Sequence, residues 1–143
     1  MNSMARIRIV VPKTMHFKTY LFLRVYDMNY GNHLGNDSVL SIAHEVRIRF
    51  LNSLGLSEHN FYGYGLLMAD SAVVYKKQGI YGDKLEIRLS VIDLSKYGFG
   101  LVYQMINTKN NHELCRVKTG LVCYNYYDKK LVQLSNKFKV LFS

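Results

Sequence analysis

Between residues 39 and 54 the apolar positions fall at Val39, Ala43, Val46, Phe50 and Leu54, spacings of four, three, four and four. Those spacings place them on one face of a helix. Leu40, Ile42 and Leu51 widen that face, and His44, Glu45, Arg47 and Arg49 take the remaining arc. Asn36, Asp37 and Ser38 are all suited to cap its start, and Gly55 to end it. The pattern predicts a helix over residues 37–54. A helix this apolar is largely buried, so its few polar groups need partners or a cleft.

Further along, the period changes to two. Leu85, Ile87, Leu89 and Val91 alternate with Glu86, Arg88 and Ser90, one face buried and one wet. Strands are expected over Leu67–Lys77, Lys84–Leu94, Gly98–Thr108 and Glu113–Tyr127. The stretches joining the last four are short, so this half reads as an antiparallel meander. Residues 16–27, rich in aromatic and β-branched side chains, read as another strand, with Arg6–Val11 a short strand before it. Residues 56–65 read as a loop rich in glycine and aromatics. One apolar helix and a meander make an α+β domain spanning residues 1–143, the helix lying across a curved sheet of about five strands. An exposed edge among twelve tyrosines is also a natural dimerisation surface.

Composition narrows the class. Apolar residues make up 49% of the chain, ordinary for a globular protein, and no apolar run is long enough to span a bilayer. Met1–Lys13 lacks the order of a secretory signal, so the expected location is cytoplasmic. Nineteen Lys and Arg against ten Asp and Glu give a net charge of +9, which favours an anionic partner. The cations are scattered, with doublets only at Lys76-Lys77 and Lys129-Lys130, which argues against nucleic acid as that partner. Cys115 and Cys123 lie eight apart in one expected strand, roughly 27 Å at about 3.4 Å per residue. That is beyond disulfide reach, and zinc-ligand spacing is absent, so both read as core thiols.

The densest chemistry lies in residues 27–37, Asp-Met-Asn-Tyr-Gly-Asn-His-Leu-Gly-Asn-Asp, between a strand and the helix. Such a junction presents backbone N–H groups to an oxyanion or phosphate. Asp27 is suited to act as general base or nucleophile, Asn29 to orient water, His33 to move a proton. The same residue types also make ordinary turns. Glu45 is a second carboxylate, with a surface pair to Arg49 as its simpler reading. Asp70, in an apolar stretch, has two readings: toward the site or toward solvent.

Here the residues carry a resemblance. Asp27-Met28-Asn29, then Asn32-His33-Leu34-Gly35-Asn36-Asp37 and the apolar helix, resemble the thioesterases of the hotdog-fold superfamily. Tyr81-Gly82-Asp83 after Val73–Lys76, and Lys118–Val122, resemble two further strands of that fold. The resemblance covers about residues 16–128. It implies a curved antiparallel sheet wrapped around one central helix, in a homodimer or homotetramer with the active site at the dimer interface. It implies metal-independent hydrolysis of an acyl thioester of coenzyme A or acyl carrier protein, with no cofactor beyond the substrate's own coenzyme A. Two registers are open. In one, Asp27, Met28 and Asn29 match the Asp-Met-Asn of plant-type acyl-carrier-protein thioesterases, and His33 their histidine, with Tyr30-Gly31 inserted. In the gapless one, the family's pattern is Asp-x-Asp-x-x-Gly-His-x-x-Asn. Asp27, His33 and Asn36 then match, but Asn29 stands where the family's second acid would be. The resemblance thus assigns Asp27, Asn29 and His33 to catalysis, and the backbone of Gly35, Asn36, Asp37 and Ser38 to the thioester carbonyl. Lys76, Lys77, Lys84 and Lys96 are candidates for the phosphates of coenzyme A. The alternative is a non-catalytic module of the same fold that binds acyl-coenzyme A or acyl carrier protein.

Overall fold

The computed structural model describes residues 6–143. Strand β1 (Phe17–Phe22) leads through a single 3-10 turn (Val25–Asp27) and a polar loop into helix α1 (Asn36–Ser53). Strands β2 (Gly65–Tyr75), β3 (Lys84–Ile92), β4 (Gly98–Asn107) and β5 (Glu113–Asn125) follow. A two-residue strand β6 (Lys130–Leu131) and a short helix α2 (Asn136–Phe142) close the chain. The strands form one antiparallel sheet in the order β1-β3-β4-β5-β2, with β6 paired to the end of β5.

The sheet curves around α1. Val39, Ile42, Ala43, Val46 and Phe50 pack on the inward residues Leu85, Ile87, Leu89, Leu101 and Val117. This is the α+β arrangement expected from the two hydrophobic periods. Cys115 and Cys123 are buried and unbridged, on the core face of β5 as expected. Burial pushes their thiols up, to about 12 and about 11.

The first strand is shorter than expected. It stops at Phe22, and Leu23 turns down into the core before the 3-10 turn begins. The Arg6–Val11 segment is no strand. It runs extended along the outer face of the sheet, where Arg116 donates from Nη1 to the Ile9 carbonyl at 2.9 Å. Ile9, Val102 and Ile106 are buried on that side, so β4 is covered on both faces. β-branched residues here serve packing beneath a strap, not pairing. Helix α2 likewise closes one end of the core. Phe138 lies 4.5 Å from Phe99 and 5.1 Å from Phe61 between ring centres, and Phe142 reaches Phe50 at 5.7 Å.

The polar arc of α1 finds its partners. Glu45 pairs with Arg49 at 2.8 Å. Arg47, only 4% exposed, donates from Nε to Glu58 at 2.9 Å and from Nη1 to the Tyr103 hydroxyl at 3.4 Å. Tyr103 lies 3.2 Å from Thr119 in the middle of the sheet, and His44 meets Glu58 at 2.7 Å. Burial opposes the charge on Arg47, but Tyr103 and Glu58 outweigh it and its pKa rises.

Candidate active site

The polar junction is a tight, internally bonded loop. The buried Asp27 carboxylate (2% exposed residue) accepts the Arg24 N–H at 2.7 Å and the Arg24 guanidinium at 3.3 and 3.4 Å. It thereby closes the 3-10 turn that ends β1. The Asp27 carbonyl then accepts the Gly35 N–H at 2.8 Å, which brings the chain back after the excursion of residues 28–34. Between them, Met28 bridges to Leu34, and the Asn29 N–H donates to the His33 carbonyl at 2.7 Å.

Asn29 holds this loop from within. Its Oδ1 accepts from the Gly31 N–H at 2.9 Å and from the His33 N–H at 3.1 Å. Asn32 occupies the left-handed region (φ 64°), a conformation asparagine tolerates. The Leu34 N–H donates to Gly79 at 2.8 Å and anchors the loop to the β2–β3 connection.

The helix begins one residue before the expected caps. Gly35 is the N-cap, with no side-chain cap, and Asn36, Asp37 and Ser38 form the first turn. A Cβ on Gly35 would lie 2.8 Å from Asp37 Oδ1 and 3.5 Å from the Asp27 carbonyl, so a small residue suits the close approach of loop and helix. Ser38 uses its hydroxyl on the Tyr26 carbonyl at 3.4 Å. The N–H groups of Asn36 and Asp37 have no carbonyl one turn back in the helix to serve them.

A cleft of about 250 Å³ opens beside this first turn. Asn29, His33, Asn36, Tyr75, Lys76 and Lys77 line its polar side, and Val39 and Leu114 its apolar floor. Because the Asn29 carbonyl oxygen is spent on the loop, its amide NH₂ is the end left for a ligand. Tyr75 donates to the Asn36 carbonyl at 3.4 Å. Burial raises its pKa, and Cys115 and Asp37 add to the effect, so the phenol stays protonated and can donate. Cys115 also borders the cleft, but its raised pKa keeps it a thiol, a poor nucleophile.

The structure thus gathers Asn29, His33, Asn36, Lys76 and Lys77 but not all the expected residues. Asp27 lies behind the loop, engaged by Arg24, and is not among the cleft-lining residues. Lys84 sits over the rings of Tyr20 (5.0 Å) and Phe22 (5.9 Å) at the β1–β3 edge, away from the cleft. Lys96 covers Tyr97 in the β3–β4 turn, also outside it. Asp70 settles on the outer, solvent side, over Gly120. Tyr75 joins the cleft although no motif marks it as a site residue. Its signal was its position, on the same face of β2 as Val73 and at the end nearest the helix start.

A curved antiparallel sheet wrapped around one central helix, with a polar cleft at the helix start, is a hotdog fold. The sequence profile of the thioesterase-like superfamily matches residues 23–142, and the chain belongs to that superfamily. Solved structures agree on the fold. The chain is similar to Slr0204, a 1,4-dihydroxy-2-naphthoyl-CoA thioesterase from Synechocystis, with 20% identity, a TM-score of 0.79, and coverage of 87% of this chain and 93% of that one. It is similar to a thioesterase-superfamily protein from Jannaschia sp. CCS1, with 13% identity, a TM-score of 0.82, and coverage of 92% and 83%. It is also similar to SAV2348 from Staphylococcus aureus, solved in complex with CoA, with 17% identity, a TM-score of 0.78, and coverage of 93% and 84%. No curated protein sequence matches the chain.

Proposed function

We propose that this protein hydrolyses an acyl thioester of coenzyme A to a free acid and a thiol, without a metal ion. The observation that carries this reading is the convergence of His33, Asn29 and the open first turn of α1 on one cleft. The thioester carbonyl oxygen lies against the Asn36 and Asp37 N–H groups, where negative charge develops as the carbonyl carbon is attacked. Asn29 donates its amide to the same oxygen or to the attacking water. His33 takes a proton from water as the new C–O bond forms, then returns it to the sulfur as the C–S bond breaks. Asp27 acts through position: with Arg24 it closes the 3-10 turn from which the loop carrying Asn29 and His33 departs.

Two copies pair along β2, one of the two edge strands of the sheet, whose residues 68–71 are exposed. The pairing satisfies a row of backbone groups that an edge strand otherwise leaves open. The two buried free thiols suit a reducing, cytoplasmic setting. Among the described residues no carboxylate lines the cleft, which favours one second reading, a module that binds acyl-coenzyme A without cleaving it. Thiol release from short, long and aromatic acyl-coenzyme A substrates separates the two. Release with purified protein, lost by about 100-fold or more in His33→Ala, is expected for the enzyme. Saturable binding without release means the module. Sedimentation of the purified protein reads its oligomeric state.

A further inference from the structure

The cations scattered in sequence gather in space at one place. The covering segment 6–15 brings Arg6 and Arg8 across the outer face of the sheet to the end of β2, beside Lys76, Lys77 and His112. Together they line an open groove of about 830 Å³, far larger than the cleft at the helix start. Among the described residues its only carboxylate is Glu113, and that is already held by Lys76 at 3.3 Å and Arg116 at 2.9 Å. The groove therefore has a surplus of positive charge. Groove and cleft share Tyr75, Lys76 and Lys77, so a molecule whose reacting end lies at the helix start emerges between the two lysines and meets the arginines.

We propose that this groove binds the phosphorylated nucleotide end of the substrate, with Arg6 and Arg8 as its specificity-determining cations. The inference rests on the thioester reading above, and it adds what lies outside the cleft. A nucleotide diphosphate bearing a further phosphate presents several anionic oxygens within a compact volume. Guanidinium groups are suited to meet those oxygens two at a time, whereas lysines meet them as point charges. Concavity favours a small nucleotide over the surface of an acidic carrier protein. Ile7, exposed between the two arginines, offers an apolar face for a base. Lys76 and Lys77 stand at the passage between the two hollows, and Lys84 and Lys96 take no part.

The test compares wild type with Arg6→Glu/Arg8→Glu, and with Lys129→Glu/Lys137→Glu as a control of equal charge change outside the groove. Adenosine 3′,5′-bisphosphate is titrated calorimetrically at low and at physiological salt. Binding weaker by about tenfold or more in the groove variant, and little changed in the control, is expected. In kinetics, the loss in kcat/KM is expected to be about tenfold greater for acyl-coenzyme A than for the matching acyl-pantetheine. Equal losses for the two substrates, or equal weakening in groove variant and control, overturn the proposal. So does a loss confined to acyl carrier protein, which instead assigns the groove to a protein surface. The titration needs no turnover, so an inactive protein that binds the nucleotide through Arg6 and Arg8 refutes the hydrolase reading alone.

Discussion

Asp27→Asn separates a residue that reacts from one that holds others in place. The native carboxylate accepts the Arg24 N–H at 2.7 Å from a site 2% exposed, and its guanidinium contacts are longer, at 3.3 and 3.4 Å. The Arg24 side chain is 70% exposed, so water screens that ion pair and it adds little. The Arg24 N–H bond dominates. Changing its acceptor from ionised to neutral costs about 1–2 kcal/mol, and the new NH₂ must face a guanidinium. For a domain of this size that lowers Tm by roughly 3–6 °C. The loop is kept by Asn29 and by the Gly35 N–H bond to the Asp27 carbonyl, neither of which the substitution touches. With His33 still facing the cleft, kcat is expected to fall by less than about tenfold. Calorimetry and thiol-release kinetics on the same preparation read both quantities. A loss in kcat of about 100-fold or more with Tm unchanged is the signature of a general base or nucleophile. It would refute the positioning role and restore Asp27 to the chemistry.

Two further outcomes follow from the structure. Glu58→Ala leaves the Arg47 guanidinium buried without its carboxylate, and since Glu58 is partly exposed the expected cost is about 2–3 kcal/mol, read by urea denaturation. A cost near zero would mean that Tyr103 and water suffice. His16 accepts the Val91 N–H on Nδ1 at 2.9 Å and packs edge-on against Phe142 at 5.0 Å, and burial lowers its pKa below 6.5. The unfolded chain therefore takes up the proton first as pH falls. The His16 contribution is complete above about pH 6.5 and is lost as pH drops through its lower native value. Glu58, Glu86 and Glu113 have pKa values below 4.5, so their acid losses come at lower pH. Melting at pH 7.5 and 5.5 should show a drop in wild type that is smaller in His16→Asn, and an equal drop in both would exclude His16 as its source.

Helix α1 and strands β2–β5 were legible as elements because burial writes period into sequence, but the meander holds only for β3–β5: β2 pairs with β5 and leaves the place beside β3 to β1. The Val39–Leu54 spacing and the Leu85–Val91 alternation each require one apolar face. What escaped has a common cause: its meaning lies in partners distant along the chain. Ile7, Ile9 and Val11 have strand-like chemistry, yet the segment lies across the sheet, and only tertiary contact decides that. Arg47 looked like one more polar helix residue until Glu58 and Tyr103 came beside it. Helix α2 does carry a local signal, Ser135 as cap with Phe138 and Phe142 four apart. The candidate site was legible as a neighbourhood. Its division of labour was not, because hydrogen bonds with Arg24 turned Asp27 away from the cleft and backbone N–H groups engaged the Asn29 oxygen.

The central claim is that the thioester reacts at the start of α1, before His33. The most direct measurement is a crystal structure of the protein with an unhydrolysable acyl-coenzyme A analogue. The expected result places the carbonyl oxygen 2.7–3.1 Å from the Asn36 or Asp37 N–H, roughly the distance an oxyanion needs, with His33 facing the carbonyl carbon through one water. An analogue bound with its carbonyl outside the cleft, or with Asp27 released from Arg24 and turned toward it, would contradict the account.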